Sequence, residues 1–262
     1  MAKVQRSRAV EGHPVDESVV VPYNKSNTLK LKLDHLKSFK PLTENQKKFF
    51  DAYRMGDYFI ALLGAAGTGK SFCAIYKALE EVMDAGNPFK KIIIVRSAVQ
   101  SRDIGFTPGS VEEKMSLYEQ PYIQIASQLF DRKDAYQRLK EQDYVEFIST
   151  SFVRGCSFDN SIVIVDEVQN LSFEECDTII TRVGHESKII FCGDYRQTDL
   201  KKSNDKSGLK KFHDIAKRMS SFTEIEFTTD DIVRSSLVKQ YIIARIEQED
   251  SEDEHILSRS KP

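Results

Sequence analysis

The stretch GAAGTGKSF, residues 64–72, directly follows the apolar run YFIALL. Its first eight residues match the pattern G-x-x-x-x-G-K-[ST] at every position. Glycines in this pattern let the backbone turn its amides toward phosphate groups, and the helix that follows adds its positive N-terminal dipole. The stretch therefore predicts a buried strand, a phosphate-binding loop and a helix. A glycine-rich turn without a ligand is the alternative, which the complete motif and its context disfavour.

The side chains of this loop have separate predicted roles. Lys70 is expected to reach the β- and γ-phosphates of ATP as a point charge, and the Ser71 hydroxyl is expected to bind Mg²⁺. ATP and Mg²⁺ are therefore the predicted ligands. The predicted nucleotide-binding residues of the loop are Gly64, Ala65, Ala66, Gly67, Thr68, Gly69, Lys70, Ser71 and Phe72.

Composition limits the class of protein. The 262 residues are 40% hydrophobic, which is enough for one sizeable α/β core. The chain has no apolar run of about 18 residues and no apolar segment near its N-terminus, so we expect neither a transmembrane helix nor a secretory signal. Its four cysteines lie in no CxxC pair, which favours reduced thiols in a cytoplasmic protein. The net charge of -2 does not by itself indicate nucleic-acid binding.

The chain divides into three predicted regions. Residues 1–38 are expected to be a flexible N-terminal segment, and residues 39–246 an α/β domain. Residues 247–262 begin with EQEDSEDE, six acids without a base, and are expected to be a disordered acidic tail. Helices alternate with strands, which predicts a largely parallel sheet with helices on both faces. The predicted strands are YFIALL, KIIIVR, DYVEFIS, SIVIVD, SKIIFCGD and TEIEF, with IIIV and IVIV in central strands.

Two helix predictions can be compared directly with the structure. One helix is expected to begin after Thr43, as its N-cap, and to end before Gly56. A single helix is expected over QPYIQIASQLFDRKDAYQRL, residues 120–139.

An acidic pair, Asp166 and Glu167, ends the buried run SIVIV. A carboxylate at the C-terminal end of such a strand can orient Mg²⁺ and its waters, which is the role predicted for Asp166. Glu167 beside it is predicted to polarise the attacking water as a general base. Helix N-terminal charges are the alternative. A water activator favours hydrolysis over a small-molecule kinase.

Two glutamines complete the predicted site. Gln197, in the segment GDYRQTDL, is expected to face the γ-phosphate together with Asp194, and an ordinary polar turn is the alternative. The Gln46 amide could recognise the donor and acceptor edge of adenine. TENQ, residues 43–46, is equally consistent with a capping box, so both interpretations stay open.

The motifs LTENQ, GAAGTGKS, DEVQN and GDYRQTDL together resemble the nucleotide-binding half of superfamily 1 helicases. The segments VRSAVQSRDIGFTPGSVEEKM, SFVRGCSFDN, TRVG, KSGL and DDIVRSSLV resemble the PhoH family of ATPases more closely, over roughly residues 40–245. The length is similar to that of phage-encoded members. The resemblance implies a RecA-like P-loop core and Mg²⁺-dependent ATP hydrolysis coupled to RNA or single-stranded DNA. Two departures, Arg96-Ser97 and DEVQN, remove no reacting group.

Three residues are candidates for nucleic-acid contact. Within SRDIGFTPGSVEEK, residues 101–114, Phe106 could stack on a base and Arg102 could bind a phosphate. A structural or oligomer-contact loop is the alternative. Arg154 could contact nucleic acid, phosphate or a neighbouring subunit, and a surface salt bridge is its alternative.

Arg234, in TTDDIVRSSL, is predicted to complete a neighbour's active site. Superfamily 1 helicases enclose ATP between two RecA-like domains, whereas only one such core fits in this chain. The second face would then come from a ring-like homo-oligomer, for example a hexamer. The alternative is a surface pair between Arg234 and Asp230 or Asp231. The rival functions are a nucleotide-dependent scaffold and a P-loop kinase.

Overall fold

The computed structural model describes residues 30–97, 111–194 and 203–259. In these ranges six parallel strands form one sheet, in the order β3-β2-β4-β5-β1-β6. All six predicted strands are present, and β2 and β4, which contain IIIV and IVIV, lie inside the sheet as predicted. The strands are β1 Phe59–Gly64, β2 Lys91–Arg96, β3 Val145–Ser149, β4 Ser161–Asp166, β5 Lys188–Gly193 and β6 Phe222–Phe227.

The helices largely follow the predictions. The Thr43 hydroxyl accepts a hydrogen bond from the Gln46 amide (3.3 Å), and Gly56 ends the first helix in a left-handed conformation, so both predicted caps are confirmed. The described helices are α1 Glu44–Met55, α2 Lys70–Val82, α3 Val111–Phe130, α4 Ala135–Glu141, α5 Phe173–Ile180, α6 Ser203–Ala216 and α7 Ser236–Arg259. None of the described helices is both long and apolar enough to cross a membrane.

The structure differs from the sequence predictions in two helical regions. The single helix expected over residues 120–139 is divided into α3 and α4, because Asp131 takes a left-handed backbone conformation (φ 54°) that ends α3. Asp134 then precedes α4 and pairs with Arg132 and Arg138. The backbone of α7 continues to Arg259, so the acidic segment from residue 247 is helical where a disordered tail was expected.

Apolar side chains of alternating strand positions form a core on each face of the sheet. Ile60 and Leu62 point to the layer of α1–α4, whereas Phe59, Ala61 and Leu63 point to the layer of α5 and α6. All of these strand residues are almost completely buried, and burying one such Ile or Leu side chain contributes about 1.5–3 kcal/mol. The predicted α/β class, with helices on both faces, is confirmed.

The strand register places the functional loops along one edge of the sheet. Asp166 lies opposite Arg96 on one side and Cys192 on the other, and Gly64 lies opposite Phe227. Strand β5 separates the phosphate-loop strand β1 from β4, which carries the acidic pair. This all-parallel architecture agrees with the RecA-like P-loop core that the sequence resemblance implies.

Candidate nucleotide-binding site

The phosphate loop needs glycine at its first position. Gly64 has φ 120°, and a Cβ at this position would lie 2.0 Å from the Phe227 carbonyl oxygen. This close approach of the two backbones allows the Ala65 amide to donate a hydrogen bond of 2.9 Å to the same oxygen. Gly67 and Gly69 also have positive φ. The end of β6 therefore supports the start of the loop, and no side chain larger than glycine fits there.

The Lys70 ammonium group lies inside the loop. It donates to the carbonyl oxygens of Gly64 (2.9 Å) and Ala65 (2.7 Å) and to the Thr68 hydroxyl (3.3 Å). Burial lowers the pKa of Lys70, and the nearby Asp194 and Asp166 partly oppose that effect. When a phosphate group enters the loop, its charged oxygens would replace these neutral acceptors of Lys70. Hydrogen bonds to a charged acceptor are stronger, so the change favours a buried cation.

Ser71 and Asp166, the two predicted Mg²⁺ ligands, are brought together. The Ser71 hydroxyl donates to Asp166 Oδ1 at 2.7 Å. A hydroxyl beside a carboxylate is a pair of hard oxygen donors, so this set fits Mg²⁺. The other carboxylate oxygen, Oδ2, accepts a hydrogen bond of 2.9 Å from the Tyr122 hydroxyl of α3. The sequence analysis did not identify Tyr122, because in the sequence it is only one of several residues on the apolar face of a predicted helix.

Glu167 is held beside this pair in an unusual backbone conformation. Its φ of 54° lies in the left-handed region, where a residue with a Cβ is strained. Its carboxylate accepts a hydrogen bond of 2.5 Å from the Gln169 side chain and lies 3.9 Å from the Arg96 guanidinium. Gln169 also accepts from the Asp194 amide at 3.0 Å, so this buried residue links the ends of β4 and β5. It too was missed, because DEVQN carries no local signal for that link.

The Gln46 side chain is only 1% exposed, and both ends of its amide have partners. Its Nε2 donates to the Thr68 carbonyl at 2.9 Å, and its Oε1 accepts from the Leu42 amide at 2.8 Å. Only one of the two bonds of a capping box is present. The Gln46 amide donates to the Thr43 hydroxyl, but the Gln46 side chain accepts from the Leu42 amide and not from the Thr43 amide. The Gln46 amide therefore contacts the phosphate loop directly.

Arg234 lies over the phosphate loop of its own chain, whereas the sequence prediction places it at a neighbour's site. The Val233 amide donates to the Gly67 carbonyl at 3.1 Å and so draws this segment across the loop. A Cβ at Gly67 would lie 3.0 Å from Arg234 Cγ. Among the described residues Arg234 forms no ion pair with Asp230 or Asp231, and Asp231 instead accepts from Asn45 at 2.7 Å.

These groups surround one cavity of about 500 Å³. Its phosphate end is formed by the loop, Asp166, Glu167 and Arg234. Its other end is formed by the segment before α1 and by one face of α3, and it includes Phe39, Leu42, Phe72, Gln124, Ile125 and Gln128. A cavity with a charged end and a largely apolar end suits a nucleotide, whose phosphates and base differ in the same way.

The remaining predicted residues are distributed differently. Arg154 is exposed and follows β3 at the same edge of the sheet. Gln197, Arg102 and Phe106 lie outside the described residues.

Comparison with known sequences identifies one family. The profile described as "PhoH-like protein" matches residues 38–246. A PhoH-like protein of Bacillus subtilis (strain 168) is 34% identical over 209 residues, which are 79% of this chain and 64% of that protein. A PhoH-like protein of Mycobacterium leprae (strain TN) is 30% identical over 224 residues, 85% of this chain and 63% of that protein. This chain spans less than two thirds of the length of these relatives.

Comparison with solved structures gives matches at low sequence identity and with TM-scores below 0.5. The large terminase of a thermophilic bacteriophage is 12% identical, with a TM-score of 0.44, over 77% of this chain and 50% of the terminase. A Bacteroides Pif1 helicase in complex with ADP-AlF3 and single-stranded DNA is 17% identical, with a TM-score of 0.36, over 72% of this chain and 42% of the helicase.

Proposed function

This chain belongs to the PhoH-like protein family and is a P-loop NTPase, and we propose that it hydrolyses ATP with Mg²⁺ and couples hydrolysis to RNA or single-stranded DNA. The observation that carries the proposal is the contact between Ser71 and Asp166 at the phosphate loop, with Glu167 held beside it. A nucleotide-binding loop alone is compatible with a kinase or a switch. A fixed carboxylate next to the Mg²⁺ ligands favours activation of water.

The side chains divide the reaction among them. The loop amides and Lys70 would bind the β- and γ-phosphates, while Ser71 and Asp166 would hold the metal. Bound Mg²⁺ would neutralise charge on the phosphate oxygens. Glu167 accepts a proton from the attacking water as the water oxygen bonds to the γ-phosphorus and the bond from that phosphorus to the bridging oxygen of ADP breaks. Gln169 keeps the Glu167 carboxylate in place.

We further assign Arg234 to the γ-phosphate of its own chain's nucleotide. Its side chain lines the cavity and lies over Gly67, where an added Cβ would come within 3.0 Å of Arg234 Cγ. A guanidinium that meets the charge developing on the transferred phosphate can accelerate the reaction by about 10³-fold or more. Gln197 is retained as a proposed sensor of the γ-phosphate, and Gln46 as a proposed contact of adenine.

The test is ATP hydrolysis by the full chain with and without RNA and single-stranded DNA, at two salt concentrations. Lys70→Ala should weaken both nucleotide binding and hydrolysis. Glu167→Gln should keep ATP binding while hydrolysis falls by about 10²-fold or more. Near-normal turnover in Glu167→Gln removes that residue from the role of general base.

Stimulation by nucleic acid tests the second half of the proposal. We expect faster hydrolysis with RNA or single-stranded DNA, and less stimulation at the higher salt concentration because phosphate contacts release counterions. Hydrolysis that no nucleic acid changes, together with ATP-dependent assembly, would favour the scaffold function instead.

A further inference from the structure

An aromatic ring stands exposed after the edge strand β3. Phe152 is 58% exposed, although the next residue, Val153, is completely buried in the core. The neighbouring exposed residues, Ser151, Arg154, Gly155 and Ser157, are polar or lack a side chain. Within residues 151–157 the ring is therefore the one large apolar side chain that is exposed, and its exposure to water is unfavourable by itself.

The backbone keeps the ring in this position. The Val153 amide donates to the Thr150 carbonyl (3.3 Å), and the Cys156 amide donates to the Val153 carbonyl (3.1 Å). The Thr150 hydroxyl donates to Glu175 of α5 at 2.5 Å, which ties the turn to the helix layer. With Val153 anchored in the core, these contacts hold the backbone of the turn on both sides of Phe152.

A cation lies two residues from the ring. Arg154 is exposed, and among the described residues it takes part in no ion pair. Both side chains emerge from one turn at the carboxyl edge of the sheet, beside β2, which ends at Arg96 near Glu167. The turn therefore lies at the same edge of the sheet as Glu167, with strand β2 between β3 and β4.

We propose that this turn binds single-stranded nucleic acid, with the Phe152 ring stacked on an unpaired base and Arg154 on an adjacent phosphate. The inference deepens the proposed function and rests on its nucleic-acid part. Only an unpaired base offers an open face to an aromatic ring, and a guanidinium suits the phosphate beside it. A protein partner fits less well, because a stable interface buries more than about 1,000 Å² and the surroundings of Phe152 are polar.

The experiment separates stacking from charge. Fluorescence anisotropy would measure binding of the full chain to oligothymidylate, to oligouridylate and to an abasic oligonucleotide of equal length, at about 50 mM and about 200 mM salt. Phe152→Ala should weaken binding to the two base-bearing probes by about 5- to 150-fold, which corresponds to the ~1–3 kcal/mol of one stacked base. Its affinity for the abasic probe should stay unchanged, and Phe152→Tyr should bind as the wild type does.

Arg154→Ala should not distinguish the probes. It should weaken binding to all three probes and reduce the slope of log affinity against log salt by about 0.7. Melting temperature and ATP hydrolysis without nucleic acid should be unchanged in both Ala variants, since neither side chain supports the core or the nucleotide cavity.

Several outcomes would overturn the inference. An equal loss on the abasic probe would show that Phe152 acts other than by stacking. Unchanged binding by Phe152→Ala, while the wild type binds, would leave the proposed function intact and remove this residue from it. Failure of the wild type to bind any probe would reject the nucleic-acid part of the proposed function. A concentration-dependent dimer that Phe152→Ala abolishes would assign the ring to a contact between copies.

Discussion

Tyr122 fixes the second oxygen of the predicted Mg²⁺-orienting carboxylate. Burial raises the pKa of the Tyr122 hydroxyl, and the nearby Asp166 raises it further, so the group stays a neutral donor. Tyr122→Phe removes the hydroxyl that donates to Asp166 and also interacts with Arg96. Because loss of such an outer partner weakens metal binding about 10- to 100-fold, the Mg²⁺ concentration for half-maximal binding of a fluorescent ATP analogue should rise by that factor. Mg²⁺ titrations of binding and hydrolysis measure it.

A second buried tyrosine provides the control for this substitution. Tyr136 of α4 is also buried, but it does not contact Asp166. Tyr136→Phe should leave the Mg²⁺ dependence unchanged. If Tyr122→Phe also leaves it unchanged, the hydroxyl has no part in holding the carboxylate.

Gln46 joins the start of α1 to the phosphate loop. In Gln46→Glu a carboxylate would face the Thr68 carbonyl, and the Nε2 donor would be lost. We expect the free energy of unfolding without nucleotide to fall by about 1–3 kcal/mol and ATP affinity to fall with it. Urea denaturation measures the first change, and ATP and GTP titrations measure the second together with any loss of base preference.

An exposed glutamine at the other end of the same cavity gives the matched variant. Gln124→Glu introduces the same charge on α3 and should leave the free energy of unfolding nearly unchanged. Equal stability of Gln46→Glu and the wild type would contradict a structural role of the amide at the loop.

At the scale of elements, the connection from β6 to α7 is tied to α1 through one carboxylate. Asp231 Oδ2 accepts from the Asn45 side chain (2.7 Å) and the Thr228 amide (2.9 Å). Burial alone would raise the pKa of Asp231, but hydrogen bonds from Thr43 and Asn45 outweigh it and hold the pKa below its usual value. This connection carries Val233 and Arg234 to the phosphate loop, so it affects stability and activity together.

The sign of the pH effect follows from that lowered pKa. The unfolded chain takes up the proton first as pH falls, so this stabilisation is full above the usual Asp pKa of about 4 and is lost below it. Asp231→Asn should lose about 1.5–3 kcal/mol of unfolding free energy at pH 7 and less as the pH falls through that range. Urea denaturation at several pH values checks this, with the exposed Asp230→Asn as control. A constant difference at all pH values would contradict the assignment.

For the whole molecule, the open question is whether one copy completes its own site. The ring-like homo-oligomer stays a prediction, but Arg234 lies over Gly67 of its own chain, so the same chain could supply the guanidinium. Lys70→Ala and Arg234→Ala should therefore each be inactive, and mixing them should restore nothing even when mixed oligomers form. Hydrolysis assays of the mixture, with light scattering to record its mass, measure this. Partial recovery of activity would support the trans arrangement instead.

The sequence alone was sufficient for the α/β class, the six strands, the phosphate loop and the positions of Ser71 and Asp166. These features depend on local signals, because apolar runs, glycines and a polar residue at a strand end constrain the backbone where they occur. Parallel strands then bring their carboxyl ends to one edge, which makes the meeting of Ser71 and Asp166 predictable from 95 positions apart.

Side-chain contacts that depend on the packing of helices against the sheet could not be predicted from the sequence. Tyr122 meets Asp166 only because α3 packs over the end of β4, and the Asp131 turn that ends α3 has no strong local signal. Arg234 lies over the loop because the Val233 amide donates a hydrogen bond to Gly67. These residues are far apart in sequence, so the hydrophobic periodicity of the chain does not predict their contact. Side-chain partners of this kind depend on how the helices pack against the sheet. Local sequence motifs therefore predict where the site lies, and the tertiary structure determines which other residues support it.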